Sequence, residues 1–252
     1  MTTVLRRPQA PALVLIAHGS RDPRHAATVE ALAVLLRERR PGVETVTAYL
    51  DHCAPRVSQV VGRLAGAPAV AVPLLLGRAF HARSDIPAAL RDAGADLPLA
   101  DVLGPSPLLL DTLDRRLAEA GLDITDPTVR ARTGVVLAAA GSSDRAANAA
   151  TLAVAADWQR TRGWAAVEVA HASGTGPTLP DAVATLRRTG ARQVAVAPYL
   201  LAPGLLPDRI TTAAEAAGAD LTAAVLGAAP EVAGLVLQRY DATRTTRHLR
   251  AA

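Results

Sequence analysis

Two histidines of this 252-residue chain stand where an apolar run gives way to a polar turn. His18 lies in Ala17-His18-Gly19-Ser20-Arg21-Asp22-Pro23, directly after the apolar stretch Ala12–Ala17. His81 lies in Gly77-Arg78-Ala79-Phe80-His81-Ala82-Arg83-Ser84-Asp85-Ile86-Pro87, after the apolar stretch Ala69–Leu76. Neutral imidazole is a common ligand for first-row divalent metals and titrates near neutrality. Such a pair can hold an ion, accept protons, or do both. Loop histidines also serve as plain solvated or capping residues, so the pair has a bland reading beside the chemical one. His25, His52, His171 and His248 lack this placement and read as structural or exposed. Other chemistries lack their motifs. Ser20 has no flanking glycines of a nucleophile elbow. No glycine loop ends in Lys, so ATP has no cradle, and Gly174-Thr175-Gly176 falls short of a dinucleotide fingerprint. The single cysteine, Cys53, rules out an internal disulfide or a four-Cys cluster.

The elements that must position these residues come from an internal repeat, which is sought before other patterns. Ala12–Ser20 reads ALVLIAHGS and Gly134–Ser142 reads GVVLAAAGS, aligned at a shift of 122 residues that also pairs Pro55 with Pro177 and Leu64 with Leu186. Val70-Ala71-Val72 then matches Val194-Ala195-Val196 at a shift of 124, and Val102-Leu103-Gly104 matches Val225-Leu226-Gly227 at 123. The spacing predicts two copies of one unit, residues 10–120 and 133–241, joined by an exposed connector over Gly121–Thr133. In copy one, Ala12–Ala17, Val43–Leu50, Ala69–Leu76 and Leu99–Leu103 read as buried strands. Ala26–Arg40 carries Val29, Leu32, Ala33 and Leu36 on one helical face and stops at Pro41-Gly42; Arg56–Leu64, Pro87–Ala93 and Leu108–Ala120 read as further helices. Strand–helix alternation implies parallel sheets with right-handed crossovers. The expected fold is therefore α/β: two similar doubly wound domains, each with a four-stranded parallel sheet, related by a pseudo-twofold axis. Ligands of such sheets sit beyond the carboxyl ends of the strands, and strands one and three are usually neighbours. His18 and His81 are then expected to face each other.

Composition excludes several classes. Aromatic residues are 2 % of the chain, too few for base-stacking platforms, so a nucleic-acid partner is not expected. The net charge of +4 is carried on the basic side entirely by Arg. That is either a coding bias or a match to a polyanionic partner, since the guanidinium fork suits carboxylates. No apolar run reaches the length of a membrane span. Arg6-Arg7 ahead of Ala12–Ala17 is too short a pattern for an export signal and reads as the approach to a strand. With one Cys, a cytoplasmic protein is expected.

The opening His18 to Pro23, together with the third-strand stretch ending in His81 and Asp85-Ile86-Pro87, resembles the CbiX/SirB-type sirohydrochlorin chelatases, a class II chelatase family. The resemblance covers nearly the whole chain, repeat included. It implies ATP-independent insertion of Fe2+ or Co2+ into sirohydrochlorin, for sirohaem or cobalamin, with no permanent cofactor. It implies His18 and His81 as the catalytic and metal-holding pair. It adds Asp51, the acidic residue after the second strand and ahead of Pro55, as an acid/base or metal-assisting group. Ser20, Arg21, Arg24, Arg78 and Arg83 become the expected contacts to a substrate rich in carboxylates. Absence of the longer accessory segments found in some relatives leans toward iron. A cobalt enzyme, or a carrier of metal or tetrapyrrole without turnover, are the alternatives. Copy two has Ala140 where copy one has His18, and Leu205-Leu206 in the region matching His81, so it offers no histidine pair. Oligomeric state is not legible.

Overall fold

The computed structural model of the protein describes residues 10–77, 84–174 and 176–251, with side chains to Thr246. The first half runs β1 (Ala12–Ala17), α1 (Pro23–Arg39), β2 (Thr45–Tyr49), α2 (Val57–Leu64), β3 (Ala69–Pro73), α3 (Ile86–Asp92) and α4 (Pro107–Glu119). A short α5 (Pro127–Arg130) leads into β4 (Thr133–Ala139), α6 (Arg145–Arg162), β5 (Ala166–His171), α7 (Leu179–Arg188), β6 (Gln193–Pro198), α8 (Leu205–Ala216), β7 (Leu221–Thr222) and α9 (Pro230–Ala251). All pairings are parallel, in the orders β2-β1-β3 and β5-β4-β6-β7. The central strands β1 and β4 are buried along their whole length, as strands covered on both faces must be. Register repeats as well: Ala17 lies opposite Tyr49, and Ala139 opposite His171.

The fourth strand expected over Leu99–Leu103 is corrected to a single bridge, Ala71 with Leu99, so the first sheet has three strands and the second four. The chain touches β3 through Ala71 N–H to Pro98 O and Ala100 N–H to Ala71 O. The Asp101 carboxylate then accepts from the Val102 amide, and the next tie, Leu103 N–H to Leu75 O at 2.8 Å, lies beyond the end of β3. The connector is also corrected. Leu122, Val129 and Thr133 are buried, because α5 is capped by Asp126 and seats Val129 in the core.

Core side chains fall into three groups. One lies between the sheets and takes in Leu13, Leu15, Val135, Leu137, Trp158, Leu226 and Tyr240. The outer face of the first sheet is covered by α2 and α3 through Val57, Val60, Ile86 and Leu90. The outer face of the second is covered by α7 and α8 through Leu179, Val183, Leu186 and Ile210. The last helix of each half crosses over. α9 packs on β3 and α1, whereas α4 packs on β6 and α9. Polar ties hold the exchange: Tyr240 Oη donates to Pro11 O, Arg239 to the carbonyls of Val102 and Leu103, and Arg40 to Asp241 at 2.9 Å. Among the described residues no helix is long and apolar enough to cross a membrane.

Candidate active site

β1 delivers His18 to the carboxyl edge of the first sheet, between the exits of β2 and β3. The turn that follows needs glycine. Gly19 has φ +94°, and a Cβ there would stand 1.7 Å from the Asp51 carbonyl oxygen. That close approach joins the two strand exits. Leu50 N–H donates to Ala17 O at 3.0 Å and Asp51 N–H to His18 O at 2.8 Å. His18 is half-buried, with Nδ1 3.2 Å from the Gly19 carbonyl oxygen. A proton on Nδ1 donates to that oxygen and leaves the lone pair on Nε2, the tautomer in which an imidazole takes a metal or a proton.

The structure thus brings Asp51 beside His18 through the backbone, with its carboxylate turned toward Arg56 at 2.9 Å and His52 Nε2 at 3.4 Å. The Arg56 guanidinium, with the His52 amide, holds the Asp51 carboxyl below its ordinary value. Ser20 is a turn-former: its Oγ accepts from Asp22 N–H, and its carbonyl accepts from the Cys53 thiol at 3.1 Å. Arg21 is exposed at the same turn. Arg24 lies in the first turn of α1 and binds two carboxylates, Asp22 of its own cap and Asp208 of α8 in the other half. Held by the Arg24 guanidinium and amide, the Asp22 carboxyl sits low, at about 2. His81, Arg78 and Arg83 lie outside the described residues. Among the described residues no three His, Cys, Asp or Glu side chains gather as a metal set.

Copy two repeats the backbone of this site without its chemistry. Gly141 has φ +82° against the Ser173 carbonyl, and Ser142 Oγ accepts from Asp144 N–H as Ser20 does from Asp22. Ala140 and Ser173 stand where copy one has His18 and Asp51. This edge instead walls a cavity of about 500 Å3 between the halves. Its lining runs from Leu74–Gly77 at the exit of β3, through Ala140–Ser142, to Ala147 and Thr151 of α6 and Tyr199–Leu201 after β6. Among the described residues no charged side chain contributes to it. Tyr199 is 7 % exposed; its hydroxyl has no partner, and burial pushes its pKa up.

Two residues near the site were not singled out in the sequence. His25, in the first turn of α1, has a buried Nδ1 without a partner, and its ring is 6.4 Å from that of Tyr49. Burial, then the charge of His18, lowers its pKa. Its place seven residues beyond His18, on the face that α1 turns inward with Val29 and Leu32, is the signal that could have found it. Asp208 is separated from Arg24 by 184 residues and carries no local signal.

A family model described as CbiX matches the chain twice, over residues 12–120 and 134–243. The sirohydrochlorin cobaltochelatase of Priestia megaterium is 27 % identical over 207 residues, which cover 79 % of this chain and 66 % of that protein. The chain therefore spans just under two thirds of that relative. The sirohydrochlorin ferrochelatase of the same organism is also 27 % identical, over 217 residues covering 83 % of this chain and 80 % of the relative. Among solved structures, SirB from Bacillus subtilis with Fe3+ superposes with a TM-score of 0.79 at 21 % identity, covering 94 % of this chain and 97 % of that one. With both halves matched by one family, and with the fold of SirB, this chain belongs to the CbiX family.

Proposed function

We propose that the protein is a sirohydrochlorin chelatase, inserting Fe2+ or Co2+ into sirohydrochlorin without ATP. The observation that carries the proposal is the placement of His18. It is locked at the carboxyl end of β1 by the Gly19–Asp51 contact, in the strand beside β3, whose exit at Leu74–Gly77 lines the cavity between the halves. Insertion removes two pyrrole protons and strips water from the ion. A neutral imidazole at His18 accepts a proton or holds the incoming ion loosely enough to pass it on. His81 is the second member of the pair in this reading. Asp51, held ionised by Arg56, supplies negative charge that favours an approaching cation. Ser20, Arg21, Arg24, Arg78 and Arg83 form the carboxylate-binding rim, and the apolar cavity takes the ring. Copy two supplies shape and no second catalytic centre. Relatives named for cobalt and for iron are equally distant, so neither metal is favoured by kinship. The half-buried free thiol of Cys53 fits a reducing compartment, the cytoplasm in this proposal.

The test is a spectral assay with excess sirohydrochlorin and each metal in turn. Wild-type protein is expected to turn over many equivalents. His18→Ala and His81→Ala are each expected to lower the rate at least about a hundredfold, the scale of a lost general base, with an unchanged melting temperature. Conversion that stops at one equivalent would make the protein a carrier. Near-normal turnover in both variants would remove the histidines from the mechanism.

A further inference from the structure

Arg24 is pinned on two edges. Its Nε and Nη2 donate to Asp22, the cap of α1, at 3.0 and 2.5 Å. Its Nη1 and Nη2 donate to Asp208 at 3.1 and 2.6 Å. The two carboxylates differ in origin. Asp22 belongs to the turn that holds His18 and accepts the Arg24 amide as well, so it fixes the guanidinium from within its own half. Asp208 comes from the first turn of α8, which begins a few residues after Leu200 and Leu201 of the cavity wall. The Nη1–Nη2 edge of Arg24 therefore already holds a carboxylate in fork geometry, contributed by the other half. Both side chains of that contact are half exposed, 51 % and 54 %. An ion pair in water of this kind is weak and exchangeable.

We propose that Asp208 is a resident stand-in for a ligand carboxylate: it occupies the binding edge of Arg24 and is displaced when a carboxylate of the substrate enters. Asp208 is then a specificity-determining residue. It sets a threshold that only a ligand presenting a carboxylate at this position crosses, because exchange replaces one carboxylate by another on the same fork. An uncharged ligand edge would leave Arg24 and Asp208 paired and gain nothing. The inference rests on the proposed tetrapyrrole polycarboxylate substrate, and binding is measured apart from turnover so that the two ideas fail separately.

The experiment titrates metal-free sirohydrochlorin into wild type, Asp208→Asn, Arg24→Gln and the double variant, followed by absorbance, with the methyl-esterified tetrapyrrole as a second probe. Asp208→Asn is expected to bind sirohydrochlorin roughly two- to fivefold more tightly, the scale of one exposed ion pair no longer in competition. The gain is expected to vanish in the Arg24→Gln background and with the ester. A purely structural strap predicts the opposite pattern, a lower melting temperature in Asp208→Asn with affinity unchanged or weaker. That result, or a gain that persists without Arg24, overturns the proposal. Wild-type protein that binds sirohydrochlorin but never inserts metal sinks the chelatase reading and leaves the Asp208 comparison to be judged on affinity. Wild-type protein that binds none sinks both.

Discussion

His25 shows how a single ring can tie the stability of the fold to pH. Its Nδ1 is enclosed without a partner, and burial followed by the charge of His18 lowers its pKa from the ordinary 6.5. The folded chain thus resists a proton that the unfolded chain accepts. As pH falls through 6.5 the unfolded state binds more protons, and stability declines until the lower, folded pKa is passed. Above 6.5 both states are neutral at this site and the contribution is fully present. Urea midpoints measured from pH 7.5 to 5.0 are expected to fall more steeply in wild type than in His25→Leu, which keeps an apolar body on α1 and removes the titration. Equal slopes in the two proteins would show that His25 does not carry this dependence.

At the scale of elements, the join between halves turns on Asp114 of α4. Its carboxylate accepts from the Trp158 indole N–H of α6 at 2.9 Å and pairs with Arg130 of α5 at 3.3 Å, with Arg162 at 3.7 Å. Burial pushes this carboxyl up, while the indole and the two guanidinium groups pull it down. Asp114→Ala leaves buried donors and a cation without their acceptor. It is expected to destabilise the protein by about 3 kcal/mol, read from urea unfolding. Asp114→Asn, which can still accept from Trp158, is expected to cost less; equal costs would mean that the indole bond contributes nothing. None of this was legible in the sequence, where the turn-forming and charged residues of Gly121–Thr133 outweigh its scattered apolar ones, Leu122, Ile124 and Val129. The strands were legible because a buried parallel strand writes itself as an unbroken apolar run, and β1 lies over the same residues, Ala12–Ala17, that the pattern marked. Leu99–Leu103 carries a similar run but forms only the Leu99 bridge, since an apolar stretch records burial and not partners. The same limit applies at the site. His18 was readable from its place after β1, whereas Arg24 read only as an expected contact to substrate carboxylates, because Asp208 lies 184 residues away.

The whole molecule is a duplication whose halves exchange their closing helices. Sequence periodicity places a boundary near residues 121–133, and the family match respects it, yet the closing helices are traded across it. α9 lays Val232, Val236 and Tyr240, all fully buried, into the core between the sheets and against β3 and α1. α4 buries Leu109, Leu113 and Leu117 in that same core while packing on β6. Amphipathic spacing tells a helix to bury a face but not which sheet will cover it, so the exchange could not be read from the pattern. A fragment of residues 10–120 would keep α4 without β6 and expose the β3 face that α9 covers; a fragment of residues 133–252 would do the converse. Each is expected to lack a cooperative thermal transition alone, and the two are expected to recover one when mixed, because the missing helix arrives with the other half. The intact chain is expected to melt in a single step that deletion of residues 230–252 abolishes for both sheets together. A cooperative transition in the isolated fragment 10–120 would show that the first sheet holds its own core, and that α9 is a cover and not a component. The arrangement matters for the cavity, whose walls come from β3 on one side and β4, α6 and β6 on the other. With each half closed by a helix from its partner, those walls cannot drift apart without breaking the core, so the cavity keeps its shape before any ligand enters.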